Sequence, residues 1–328
     1  MNWTSVILLL ILSCLSPLQA EARQIDTGTL SAAGPGPADH VLLFVLEGVD
    51  RDAVTSGPMP TLSQLARQGA TTWSAATLAG PGSLPAMASL LTGLPVEKHG
   101  ITWDTFEFSR GYPRAPTVFD YLDLSGGRDS AIFFMDEALY QLARPEPYTD
   151  YQLCGALRPD CTPARLVTYI NQYFRKATSG HGYGHAIPAL PHLLVVHLPA
   201  PQRAGERFGW ASGEFKQALG AVDGAMKSIL ATFARHGLLE KTTVFVTSLH
   251  GRPQPDGPTS QPAMVPWIAA GKGIRPSHRI SAPVSIIDTG ATVMRTLGLT
   301  THTEWDSRTI EEVFQADAPL NSGQERTP

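Results

Sequence analysis

Residues 41–46 are an unbroken apolar run, and Gly48 follows closely. A run without polar alternation predicts a strand buried on both faces. Shorter runs at 131–135, 193–198, 242–247 and 265–269 predict four more strands. Between them the period changes. In 60–69, Leu62, Leu65 and Ala66 fall on one helical face, and Gly69 ends the segment. Residues 84–92 carry Pro85 in the first turn and have Gly93 just past the end, which predicts a second helix. Segments 117–124, 165–176 and 285–297 also read as helices. The longest helix is predicted over 213–236, where Phe215, Leu219, Val222, Met226, Ile229 and Leu230 recur at helical spacing. Strands alternating with helices predict an α/β fold: a three-layer α/β/α sandwich with a mostly parallel central sheet. Ligands in such sheets sit beyond the carboxyl ends of the strands.

The ends of the chain have a different character. Residues 6–15 are nearly all apolar, and Ala20-Glu21-Ala22 follows. This reads as a signal peptide over 1–22 with an A-x-A-like cleavage site, although residues 1–5 lack the usual Lys or Arg. An uncleaved anchor is the alternative, but the run is short for a bilayer. A lipoprotein reading of Ile11-Leu12-Ser13-Cys14 is weaker. Residues 23–39 are rich in Gly, Pro and Ala and read as a linker. One folded domain is expected over 40–315, followed by a polar, disordered tail over 316–328.

Composition narrows the partners. Hydrophobic residues make up 43% of the 328 positions, enough for a full core. Net charge is -4 and no basic stripe appears, so the electrostatic footprint of a nucleic-acid binder is missing. No transmembrane segment beyond the N-terminal one is evident. The chain has 3 cysteines. In an oxidising compartment Cys154 and Cys161 read as a local disulfide.

Candidate chemistry lies where the predicted strands end. Glu47 closes the first strand, where a carboxylate is costly unless it is paired or bound to metal. The ordinary alternative is a pairing with Arg51 or a helix start. In Gly80-Pro81-Gly82-Ser83-Leu84-Pro85, Ser83 stands at the first turn of a helix. A hydroxyl there can attack phosphorus while free N–H groups hold the phosphoryl oxygens. Taken alone, Ser83 is an N-cap. His250, in Thr247-Ser248-Leu249-His250-Gly251, ends another strand and can ligate metal through neutral imidazole. His197 ends a further strand, with Gln202 and Glu206 just beyond it.

Together these features resemble the alkaline phosphatase-like superfamily, and within it the type I phosphodiesterase/nucleotide pyrophosphatases. Glu47-Gly48 followed by Pro60-Thr61-Leu62-Ser63-Gln64-Leu65 resembles that family's first strand and helix. The strongest match runs over 83–101, from Ser83-Leu84-Pro85 through Thr92-Gly93 to His99-Gly100-Ile101. Leu249-His250-Gly251 resembles the family's Asp-His-Gly turn. Val265-Pro266-Trp267-Ile268, Gly271-Lys272-Gly273-Ile274 and 286–299 resemble the elements that follow. The similarity covers roughly 40–315. It implies a phosphoester ligand, Ser83 as nucleophile and zinc or another divalent metal.

The same resemblance implies a thinned metal site. The family holds two ions with Asp and His ligands. Its first Asp appears here as Glu47, and the Asn and His after the nucleophile's Pro as Ala86 and Met87. Its Asp-x-x-x-His appears as Gln202 and Glu206, and the Asp of Asp-His-Gly as Leu249. Residues 252–263 contain no His to supply the last ligand, for which nearby His197 is the substitute, on a strand and not in the loop. Glu47, Glu206 and His250 are left to hold one ion, or none. Losing one of two ions removes several kcal/mol of charge stabilisation, on the order of a thousandfold in rate. The resemblance therefore implies an exported, periplasmic or secreted phosphoesterase relative with weak or lost catalysis. The alternatives are a divergent active hydrolase using Ser83, and an envelope interaction domain.

Overall fold

The computed structural model describes residues 36–78, 80, 82–126, 128–144, 149–153, 161–179, 189–253 and 263–315. The predicted signal segment, most of the predicted linker, Cys154 and the predicted tail lie outside the described residues. Cys161 is disulfide-bonded.

The described strands are β1 (His40–Leu46), β2 (Ala70–Ala76), β3 (Ser130–Phe134), β4 (Thr149–Leu153), β5 (Leu193–Leu198), β6 (Thr242–Ser248), β7 (Met264–Gly271) and β8 (His278–Arg279). They form one sheet in the order β4-β3-β5-β1-β6-β7-β2-β8. β7 runs antiparallel to β6 and β2, and all the other pairings are parallel. The described helices are α1 (Arg51–Ser56), α2 (Pro60–Gln68), α3 (Ser83–Thr92), α4 (Val96–His99), α5 (Val118–Leu124), α6 (Pro163–Ser179), α7 (Ala200–Phe208), α8 (Gly213–Arg235) and α9 (Asp288–Thr296).

β1 shows why the sandwich has three layers. Its side chains alternate across the sheet, and both faces are buried. Val41, Leu43 and Val45 join a core with α3, α5 and α9. Leu42, Phe44 and Leu46 join a second core with α1, α2, α6 and α8. The unbroken apolar run is therefore the signature of a central strand covered by helices on both sides, as expected.

α3 has the corresponding helical pattern. Every residue from Leu84 to Thr92 is buried, as a helix apolar all round must be. Gly93 closes it at φ 65, where a Cβ would also strike the Trp305 ring. Ser89 and Thr92 are tolerated inside because Thr92 Oγ1 donates to Ala88 O at 2.7 Å and Ser89 Oγ meets His99 Nε2 at 2.8 Å.

The fold extends beyond the predicted elements. β2, β4, β8, α1, α4 and α7 lie outside the predicted elements. Residues 36–39, read as the end of the linker, lie against the fold: Ala38 N donates to Thr296 O at 3.3 Å and Asp39 N to Lys241 O at 3.1 Å. Among the described residues, no helix is long and apolar enough to cross a membrane.

Candidate functional site

The register of the central strands gathers the chemistry at one edge. Val45 of β1 is level with His197 of β5 and Thr247 of β6, and Leu46 is level with Ser248. Glu47 therefore leaves β1 beside His197 and beside the turn that carries His250. Backbone bonds join the two strand ends. Leu249 N donates to Leu46 O at 2.8 Å, and Gly48 N donates to His250 O at 2.9 Å. Ser248 Oγ lies 3.0 Å from Leu46 O and 2.7 Å from His250 O. Gly48 adopts φ 72, and a Cβ there would lie 2.7 Å from Gln202 N. Only glycine allows α7 to come this close.

Glu47 is 3% exposed and His197 0%. A carboxylate at that depth needs a partner. His197 Nε2 stands 2.8 Å from Glu47 Oε1. The carboxylate accepts, so Nε2 carries the proton. Nδ1 has no hydrogen-bond partner among the described residues, and the ring meets Phe134 edge-on at 6.3 Å. Burial alone would raise Glu47's carboxyl. The His197 charge and hydrogen bond, the nearby His250 and a hydrogen bond from the Ser83 hydroxyl outweigh it and hold the group below the usual carboxylate range. The partner is thus His197, and not Arg51 or a helix start, the ordinary alternatives for this carboxylate.

Ser83 is the first residue of α3, and Gly82 caps the helix without a side-chain bond. The free N–H groups of that turn are taken by Asp104, whose Oδ1 accepts from Leu84 N at 2.7 Å. A Cβ on Gly82 would lie 1.8 Å from Asp104 Oδ2, so glycine lets the carboxylate in. Burial pushes the Asp104 carboxyl up. Leu84 N–H opposes this, and the negative charge of Glu47 adds to it. An anion thus already sits where a helix start offers donors and positive potential. The loop that carries it also bears the exposed aromatic residues Phe106, Phe108 and Tyr112.

The structure therefore brings Glu47, Ser83 and His250 to one place, with His197 behind them. Glu206 lies on the exposed side of α7, where Gln202 Nε2 donates to its Oε1. Gln202 Oε1 is buried and has no partner among the described residues. Leu249, Ala86 and Met87 are fully buried apolar side chains. Among the described residues, no three His, Cys, Asp or Glu side chains are grouped to hold a metal ion. These side chains do not fit the family's two-ion donor set. Leu249 offers no ligand atom, and Glu47 Oε1 already accepts a hydrogen bond from His197 Nε2.

Sequence reasoning missed two features. The His197 partnership spans 150 positions and becomes visible only through strand register. Asp104 follows Trp103 in an irregular loop, and nothing in its sequence neighbourhood points to α3.

No curated protein matches the chain by sequence. Solved structures match its fold. Human ectonucleotide pyrophosphatase / phosphodiesterase 5 aligns at TM-score 0.65 and 13% identity, covering 84% of this chain and 100% of that one. An inactive form of the murine protein in complex with AMP aligns at TM-score 0.66 and 12% identity, covering the same shares of each chain. A 2-O GAG sulfatase aligns at TM-score 0.64 and 12% identity, covering 84% of this chain and 73% of that one. At such identities the likeness shows the alkaline phosphatase-like α/β fold. Residues 41–268 match the family model described as type I phosphodiesterase / nucleotide pyrophosphatase. With most of its length matched, from the first strand through β7, this chain belongs to the type I phosphodiesterase / nucleotide pyrophosphatase family.

Proposed function

We propose that this protein is an exported phosphoester-binding member of the family in which two-ion hydrolysis has been lost or reduced to a slow residue. One observation carries the reading: the Glu47 carboxylate, which faces Ser83 and His250, is bonded to buried His197 at 2.8 Å. What remains suits a phosphorylated small molecule. A hydroxyl stands at a helix start, a buried carboxylate and an imidazole lie beside it, and a phosphoryl group would displace the Asp104 carboxylate from the Leu84 N–H. The AMP complex of the murine relative supports a nucleotide-sized ligand. Export rests on the apolar segment 6–15 and Ala20-Glu21-Ala22.

A divalent ion, zinc by family habit, would be held here by Glu47, Glu206 and His250 if Glu206 turned inward from its exposed position. When bound, it would polarise a phosphoryl oxygen. The Ser83 hydroxyl, near enough to help hold the Glu47 carboxyl down, favours this second reading of a divergent hydrolase. Calorimetric titration with AMP and with bis(p-nitrophenyl) phosphate tests the first reading. Saturable heat from either ligand is expected, and silence from both rejects it. Ser83→Ala separates the two readings. It leaves binding in place under the first and abolishes all hydrolysis under the second.

A further inference from the structure

The donor set's disagreement with the family's two-ion pattern has a constructive side, which builds on the binding reading above. We propose that His197 stands in for a metal ion at Glu47: its ring N–H, and not a cation, fixes the carboxylate at the end of β1. Three observations carry this. First, Nε2 lies 2.8 Å from Oε1, with His197 0% and Glu47 3% exposed. An N–H aimed at an oxygen from that distance takes one of the carboxylate's lone-pair sites and supplies there the positive potential a cation would supply. Second, His197 sits within β5, in register with Val45 of β1 and packed edge-on against Phe134. A central strand holds this donor in place, so it is a permanent partner. Third, the next residue along β6 toward the site is fully buried Leu249, whose backbone N–H is spent on Leu46 O. Leu249 offers no carboxylate to balance a divalent charge. His197 is a positioning residue: it acts through Glu47, whose carboxyl lies near the Ser83 hydroxyl.

A cation and an imidazole N–H do the same electrostatic task here, so each should substitute for the other. Breaking the buried pair leaves an uncompensated carboxylate, which is strongly destabilising. A divalent ion can then enter the space vacated by the ring. A merely structural histidine would leave a cavity that zinc does not repair.

The test uses the full chain as wild type, His197→Ala and His197→Gln. Each is melted with chelator and with added zinc, and its metal content is measured. Wild type should hold its Tm within about 1 °C between chelator and zinc, and should carry no stoichiometric metal. His197→Ala should melt lower by about 5–15 °C in chelator and recover at least half of that loss with zinc. His197→Gln, which keeps a donor amide, should stay near wild type and ignore zinc. If His197→Ala does not fold in chelator, its refolding yield with and without zinc gives the same answer. One zinc per wild-type chain whose removal lowers Tm overturns the proposal. So does a His197→Ala variant that zinc does not rescue. Absence of AMP binding alongside the predicted melting pattern would sink the phosphoester reading and leave this one standing.

Discussion

His99 offers a quantitative test of how α3, the helix that presents Ser83, is held. The ring is fully buried. Ile101 N donates to its Nδ1 at 3.1 Å, so Nδ1 is an acceptor and the ring is neutral, with Nε2 facing Ser89 Oγ at 2.8 Å. Protonation would set a new N–H against the Ile101 N–H. Burial lowers the group from 6.5 to about 4, against the pull of Glu97 and a Pro85 backbone bond. In the unfolded chain the ring takes a proton below its ordinary value, and in the folded chain it resists. Stability is therefore complete above about 6.5 and drains away as pH falls toward about 4. Over that whole window the loss is about 3 kcal/mol, and near pH 5 it is about 2 kcal/mol. His99→Gln keeps an acceptor and a donor but cannot titrate. Urea unfolding of both proteins at about pH 7 and about pH 5 isolates the effect. Wild type should lose about 2 kcal/mol more than the variant over that interval. Parallel losses would refute the neutral buried ring.

Two further predictions concern stability. Asp104→Ala removes the carboxylate that accepts from Leu84 N, and should lower unfolding free energy by roughly 1 kcal/mol; an unchanged Tm would show that the contact does no capping. Glu312 is pulled down to about 2 because the Ala282 N–H, the Ser281 hydroxyl and N–H, and His278 outweigh the upward push of burial. Its contribution is present above the ordinary 4.5 and lost as pH falls toward about 2. The Tm gap between wild type and Glu312→Gln should therefore close across that window, and a gap independent of pH would contradict the assignment.

The sequence showed most of the layer structure and only part of the site, for physical reasons. β5 is six consecutive buried residues, and α8 buries Phe215, Leu219, Val222, Met226 and Ile229 on one face; strong, continuous burial leaves a strong pattern. β2 reads Ala-Thr-Thr-Trp-Ser-Ala-Ala, too mixed to look like a strand, and is held by its antiparallel neighbour β7. α7 buries only Pro201 and Gly205, because it packs by close approach, with Gly205 under the Trp210 ring. Glu47, Ser83 and His250 were visible because strand ends and helix starts are predictable places for chemistry. The Glu47–His197 bond needs the relative register of β1 and β5, and Asp104 reaches α3 from an irregular loop. Neither relation leaves a local trace.

Glu47 is committed to an internal partner, and on the reading proposed above rapid two-ion hydrolysis is lost. The most direct test of that reading is turnover of bis(p-nitrophenyl) phosphate by zinc-supplemented protein, with bound zinc counted in the same sample and Ser83→Ala as the blank. The account predicts hydrolysis close to the blank and less than two zinc ions per chain. Fast turnover with two tightly held ions, abolished by Ser83→Ala, would contradict it.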